Sequence, residues 1–272
     1  AIKAKIYLFE GNWTQVKNIT STIMTEGGFK LFESYAGLFE IANEYNSEVI
    51  LDAQYRPTSR EHQRMYVFLP PTLGGYSQLS PLQELVDSYI MLDGKTIKET
   101  GTSFDESHPY ANRDPRLKGT LFVPGMQWLN DTYDYDKTTN PDGKKIPSAS
   151  QVAIMKWFVP ENMANEYDGS LDYYVIRYAE VLLSLSEAMI EKGGYSQDQI
   201  TKYINEVRQR VNMPKVEDVE GKGLSQEQLR QIVRHERRVE LAFEDLRFAD
   251  LYRWGEWKNA VERMNKEFET YG

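Results

Sequence analysis

The stretch Ser225-Gln226-Glu227-Gln228-Leu229-Arg230-Gln231-Ile232-Val233-Arg234-His235-Glu236-Arg237-Arg238-Val239-Glu240-Leu241-Ala242-Phe243-Glu244 decides how the chain is read. Ser225 and Gln228 have the spacing of a capping box, in which each side chain satisfies a backbone N–H that the first helical turn leaves without a partner. Behind them Leu229, Ile232, Val233, Val239, Ala242 and Phe243 recur at helical period, and the spacing predicts a helix over 226–244 with one apolar stripe. Beside the stripe Arg234, Arg237 and Arg238 alternate with Glu236, Glu240 and Glu244. Such density suits an anion site or a charge lattice pairing within itself and with Glu180, Glu187 or Asp250. We favour the lattice, because guanidinium groups pair bidentately with carboxylates at partly buried positions. His235-Glu236 starts like a zinc-protease helix, but the second His required one turn later is Val239, so no zinc site is expected there.

Working outward, the run Tyr173 to Ile190 is apolar on most sides and predicts a centrally buried helix ended by Gly193-Gly194. Ser196 and Gln199 repeat the capping spacing ahead of Ile200, Ile204, Val207 and Val211, and Pro214 lies beyond. A last helix carries Trp257, Val261, Met264 and Phe268. At the other end Ile2, Ile6 and Phe9, then Val16, Ile19 and Ile23 after Gly11, predict a helical hairpin over 1–24. A two-helix repeat cannot bury its apolar face alone, so a partner region is expected to precede Ala1. Between these ends, short apolar runs such as Glu48 to Leu51 and Met65 to Leu69 read as short strands or extended segments, with a short helix following Ser80 that has Pro81 at its first position ahead of Leu82, Leu85, Val86 and Tyr89. Gly125 to Ser148 has no sustained period. The expected architecture is one mainly α domain over 1–272, an α/α superhelix of tetratricopeptide-like type. Its hairpin covers 1–24, an inserted loop-rich layer with a few short strands 25–165, and the C-terminal helices 166–272.

Composition narrows the function. With 32 Lys+Arg against 41 Asp+Glu the formal net charge is −9, which opposes the phosphate neutralisation behind nucleic-acid affinity. No stretch approaches the roughly 20 apolar residues of a membrane-spanning helix. The absence of cysteine excludes disulfides, thiol nucleophiles and cysteine-held metal clusters. Only His62, His108 and His235 are present, so a histidine-based metal site is not expected. Gly221-Lys222-Gly223 lacks the third Gly of a dinucleotide loop, and no Gly-Lys-Ser/Thr occurs. No cofactor is expected. Acidic residues are too abundant for any two to signal a glycosidase pair. The acidic loop Asp131, Asp134, Asp136, Asn140, Asp142 lacks the EF-hand spacing and reads as solvated rather than calcium-binding.

Two blocks resemble the signature of the SusD/RagB family. The first is Arg177-Tyr178-Ala179-Glu180-Val181-Leu182-Leu183 with Ser186-Glu187-Ala188 and Ile204-Asn205-Glu206-Val207-Arg208. The second runs from Arg234 to Glu244 through Arg247-Phe248 and Asp250-Leu251 to Arg253-Trp254-Gly255. Glu48-Val49-Ile50, Pro81 to Asp87, Asp93-Gly94, Asn112 to Leu117 and the hairpin with Gly11-Asn12-Trp13 fall where the family pattern expects them, whereas Gly125 to Ser148 matches in position more than in residues. The resemblance implies a cell-surface lipoprotein of the Bacteroidetes outer membrane that captures a glycan or another oligomeric nutrient and delivers it to a TonB-dependent SusC-type transporter. It implies a binding protein rather than an enzyme, held to the membrane only by an N-terminal lipid, which lies with the signal peptide outside this chain.

Candidate ligand residues come from the irregular segments, where aromatic rings lack a periodic core explanation. Trp128, Tyr133 and Tyr135, with Tyr55, Arg56 and Tyr76, offer faces on which sugar C–H groups stack, and nearby Asp and Asn side chains suit hydroxyl groups. No catalytic or metal-binding residue is expected. Two rivals predict different surfaces: a surface glycoside hydrolase requires two close carboxylates in the Trp128 to Asp142 region, and a scaffold domain for the transporter requires a large flat apolar patch.

Overall fold

At Arg177 the chain passes directly from strand to helix. In the computed structural model, which describes residues 1–70, 75–128, 131–134, 150–160 and 169–271, Tyr173–Arg177 is a strand (β6) and helix α6 covers Tyr178–Lys192. The helix expected from Tyr173 therefore begins five residues later. Tyr173-Tyr174-Val175-Ile176 is a β-branched and aromatic run, and it pairs antiparallel with β1, Val49–Ala53. Every residue of α6 from Tyr178 to Ile190 is buried, which makes it the central helix of the fold.

Around α6 pack α2 (Trp13–Glu26), α7 (Gln197–Arg210) and α9 (Gln226–Glu240). Both capping boxes form as expected, on Ser196 with Gln199 and on Ser225 with Gln228. Helix α1 (Ile2–Phe9) precedes α2 as the expected hairpin. The face it buries differs, however: Ala4 and Leu8 turn inward, Leu8 joining Val16 and Ala188, while Ile2, Ile6 and Phe9 remain more than half exposed. The hairpin meets α6 through Leu8 and Val16, with Ile23 and Met24 of α2 packed alongside, and leaves Ile2, Ile6 and Phe9 outside. Helices α3 (Arg64–Phe68), α4 (Gln83–Ser88), α5 (Arg116–Thr120), α8 (Val216–Glu220), α10 (Arg247–Arg253) and α11 (Trp257–Tyr271) complete the mainly α architecture. The strands β2 (Leu121–Phe122) with β5 (Ala153–Ile154), and β3 (Gln127–Trp128) with β4 (Asp131–Thr132), form two further short antiparallel ladders.

Three local readings are corrected. Met65 to Leu69, read as extended, is mostly the helix α3, because Met65 and Leu69 lie one turn apart and are both buried. Helix α4 starts at Gln83, beyond Pro81, and its first N–H groups are capped by the Glu267 carboxylate of α11, which accepts from Glu84 N at 3.2 Å and from Gln83 N. Helix α9 ends at Glu240 rather than continuing to 244. There Phe243 and Asp245 enter the left-handed region (φ 59° and 58°). Side chains take the released carbonyls: Arg177 Nη2 donates to Glu240 O at 2.8 Å, Lys156 Nζ to Ala242 O at 2.9 Å and Trp157 Nε1 to Phe243 O at 2.8 Å.

The charges of α9 do form a lattice, larger than the sequence suggested. Arg177, 1% exposed, donates to Glu48 (2.6 Å), Glu240 (2.6 Å) and Glu244 (2.7 Å). Arg116 binds Asp114 (2.6 Å), Glu236 (2.5 Å) and Glu240 (3.0 Å). Arg210 joins Glu48 and Glu240, Arg208 joins Glu236, and Lys156 joins Glu244 at 2.5 Å. Burial pushes the Glu240 carboxyl up, but Arg210, Arg177 and Arg116 outweigh it and hold the group well below the carboxylate range. Burial lowers Lys156 to about 8 against the pull of Glu244. A second cluster starts from the same helix: Arg237 binds Asp250 (2.8 Å), and Arg253 clasps Asp250 (2.8 Å) and Glu187 (2.7 Å).

Candidate functional site

The ladder of β1 and β6 has two ends, and the one away from Arg177 holds a set of rings around a cation. Register pairs Ala53 with Tyr173, which brings the segment after β1 beside the start of β6. Tyr55 N donates to Asp172 Oδ1 at 2.8 Å, fixing the backbone there. His62 and Gly169 exchange backbone hydrogen bonds at 3.0 Å each, and a Cβ on Gly169 would lie 2.3 Å from the His62 ring, so only glycine lets the two segments approach. His62 Nε2 lies 3.0 Å from Leu171 O and its Nδ1 lies 3.3 Å from Arg64 N, an arrangement satisfied by the neutral ring protonated on Nε2. Burial, then the neighbouring Arg64 charge, pushes His62 down to about 4.

Arg64, at the first position of α3, directs its guanidinium into this set. The group lies 5.1 Å from the Tyr55 ring centroid, 5.3 Å from Trp157 and 5.1 Å from Tyr173. Its Nη1 and Nη2 are buried with no hydrogen-bond acceptor. The rings are themselves held: Tyr55 meets His62 edge-on at 4.8 Å, Trp157 packs on Tyr173 at 5.1 Å, and Tyr173 Oη donates to Asp245 Oδ2 at 2.8 Å. Tyr55 and Tyr173 are partly exposed and Asp245 is exposed. The result is a surface of fixed aromatic edges, a carboxylate, and a cation whose donors lack partners. It can stack on an apolar face and hydrogen-bond a polar rim.

The expected ligand residues are distributed unevenly around it. Tyr55 belongs to the set. Arg56, the next residue, is exposed, in a tight loop where Arg56 and Arg60 exchange backbone hydrogen bonds at 2.9 and 3.0 Å. Tyr76 is 39% exposed with its ring 4.3 Å from that of Tyr66. Tyr133 is only 3% exposed and packs near Phe122 in the core, so its ring does not face solvent. Trp128 belongs to β3 by its backbone, and Tyr135, with Asp136, Asn140 and Asp142 of the acidic loop, lies outside the described residues. His62, Arg64, Trp157, Tyr173 and Asp245 escaped the sequence reading. The one signal that could have found them was the aromatic and β-branched run Tyr173-Tyr174-Val175-Ile176, which reads as a strand. Among the described residues no group of three or more His, Asp or Glu side chains is placed to hold a metal ion, and no helix is long and apolar enough to cross a membrane.

Comparison with known proteins gives one consistent picture. The family model for the SusD family matches residues 37–272. SusD-like protein P25 of Formosa agariphila is 25% identical over 289 residues, covering 99% of this chain and 51% of that protein. A SusD-like carbohydrate binding protein from Bacteroides fragilis has a structure similar at TM-score 0.82 and 28% identity, over 93% of this chain and 50% of that one. A laminarin binding SusD-like protein shares the fold at TM-score 0.64 and 21% identity, over 96% of this chain and 55% of its own. The chain spans about half the length of the curated relatives it matches.

Proposed function

The chain belongs to the SusD family, and from that premise we propose that it is a nutrient-binding protein of the cell surface that captures a glycan without cleaving it. The observation that carries this reading is the Arg64 guanidinium, enclosed by Tyr55, Trp157 and Tyr173 yet lacking an acceptor for Nη1 and Nη2. A sugar presents C–H faces to such rings and hydroxyl oxygens to such donors. That the B. fragilis relative is described as carbohydrate binding supports the same ligand class. In this proposal the captured glycan passes to a TonB-dependent SusC-type transporter, and the protein is held at the outer membrane as a lipoprotein.

A glycan-array and calorimetric screen with product analysis tests the reading. Micromolar-to-millimolar binding with the oligosaccharide returned intact, weakened on the order of tenfold by Tyr55→Ala or Arg64→Gln, is expected. Products shorter than the ligand would overturn the non-catalytic reading. Binding unaffected by both changes would move the site to Tyr76, Trp128 or Tyr135. Delivery is tested separately: the transporter should co-purify with the tagged protein from outer membranes, and its absence would remove the handover step.

A further inference from the structure

Two cavities adjoin between α9, α10 and α11. One, of about 310 Å³, is lined largely by apolar side chains, among them Leu82, Leu241, Phe243, Val261 and Met264. The other, of about 440 Å³, is edged by Arg234, Arg238, Arg247 and Arg263, and the two share Arg238, Arg247, Leu251 and Arg263. Four guanidinium groups thus converge in a protein whose formal net charge is −9.

The carboxylates nearby offset these charges only in part: Glu84 pairs with two of the four guanidinium groups, and Glu256 faces the cavity without an ion pair to any of them. Glu84 is already engaged, accepting from Arg238 Nη1 at 2.7 Å and Arg263 Nε at 3.1 Å. Glu256 lines the cavity and accepts from Asn259 at 2.9 Å. Asp250 is occupied by Arg237 and Arg253. Among the described residues Arg234 and Arg247 have neither a carboxylate nor a carbonyl partner, and Arg234 Nε is buried without an acceptor. Burial, then the like charge of Arg238, pushes Arg247 down to about 10.

What holds them in place is Trp254. Its Nε1 donates to Glu187 at 2.8 Å, which fixes the plane of the indole. Arg234 lies 4.7 Å and Arg247 5.9 Å from the ring, with Arg253, clamped by Glu187 and Asp250, at 4.9 Å. Two guanidinium forks are therefore positioned before any ligand arrives, at a place where water is partly excluded. Both conditions favour planar recognition of an oxyanion.

We propose that this cavity is an oxyanion-binding site, in which Arg234 and Arg247 receive a sulfate, phosphate or carboxylate group while the adjoining apolar cavity accommodates the body that carries it. The oxyanion is either a free ion or an acidic substituent of a glycan. The proposal does not depend on the Tyr55 surface and stands or falls separately from it.

Calorimetric titration of this chain with sodium sulfate against sodium chloride at equal ionic strength reads the free ion. Glucuronate and galactose 6-sulfate, against galactose, read the same groups carried on a sugar. Saturable binding of at least one oxyanion probe is expected, weakened about tenfold or more in both Arg234→Gln and Arg247→Gln. Neither change strands a buried carboxylate, so the circular dichroism spectrum should be retained. Arg247→Lys, which keeps the charge but loses the planar fork, should retain part of the affinity, and Lys222→Gln on an exposed loop should retain all of it. Sulfate bound and both sugars refused assigns a free ion; an acidic sugar bound more tightly than sulfate assigns a glycan substituent, and either result sustains the site. No saturable binding beyond chloride with any probe, or binding untouched by both Gln variants, overturns it.

Discussion

Arg177 and Arg64 stand at opposite ends of the same short ladder, and they are treated in opposite ways. Arg177 is enclosed by Glu48, Glu240 and Glu244, with every arm of its guanidinium bonded. Arg64 is enclosed by rings, and among the described residues its two terminal nitrogens meet no carboxylate and no well-aligned acceptor. A buried cation surrounded by carboxylates closes a fold, because removing it strands several charges at once. A buried cation surrounded by aromatic faces leaves hydrogen-bonding capacity for something that arrives from outside. Position beside the ladder is common to both, so the difference comes from which side chains the loops supply.

The sharpest way to break the comparison is Arg177→Met, which should cost about 3–5 kcal/mol in urea unfolding because Glu48, Glu240 and Glu244 are left buried without it. A loss below about 1 kcal/mol would show that the lattice does not hold the fold. Tyr133→Ala should cost about 3 kcal/mol as a core truncation while leaving the ligand affinity of the folded protein unchanged. Arg64→Met should do the reverse. Stability should change by less than about 1 kcal/mol, since no hydrogen bond of its terminal nitrogens is lost. Glycan affinity should fall about tenfold in calorimetry.

The two ends also titrate in different windows. The unfolded chain takes up a proton on His62 below its ordinary pKa of 6.5, whereas the folded ring resists until about pH 4. That contribution is complete above pH 6.5 and is lost as pH falls toward 4. Glu240, Glu244 and Asp250 are all held below their ordinary values, with burial opposing and the arginines prevailing, aided by Lys156 at Glu244. Their contribution is complete above the ordinary carboxylate range and is lost below it. Glu180, which burial raises, works in the opposite sense. Urea midpoints should therefore decline in two stages on acidification, and His62→Gln should remove much of the first and none of the second. The smallest expected effect is Ser225→Ala, about 1 kcal/mol for the lost cap of α9, read from the same unfolding curves.

How much of this was legible in the sequence depended on whether the signal was local. Capping boxes and helical stripes depend on residues three or four apart, and α2, α7, α9 and α11 follow from them. The strand before α6 was hidden because Tyr173 to Ile190 is apolar on most sides and almost wholly buried, and periodicity cannot divide such a run. The end of α9 was hidden because Lys156, Trp157 and Arg177, distant in sequence, capture its carbonyls. At the candidate site Tyr55 was found by its irregular setting, and Arg64 was missed because it opens a helix that reads as a strand. Tyr133 shows the converse, a loop ring that long-range packing turns into core.

The lattice also sets an order of events. Arg177 meets Glu48 across 129 positions and Arg116 meets Glu240 across 124, so neither bond can form until most of the chain has been made. At ribosomal speeds the earlier acidic and basic partners wait for many seconds, solvated and unsealed. The protein is thus locked from its far end. A nascent chain halted before Glu240 lacks the carboxylate that joins Arg116, Arg177 and Arg210.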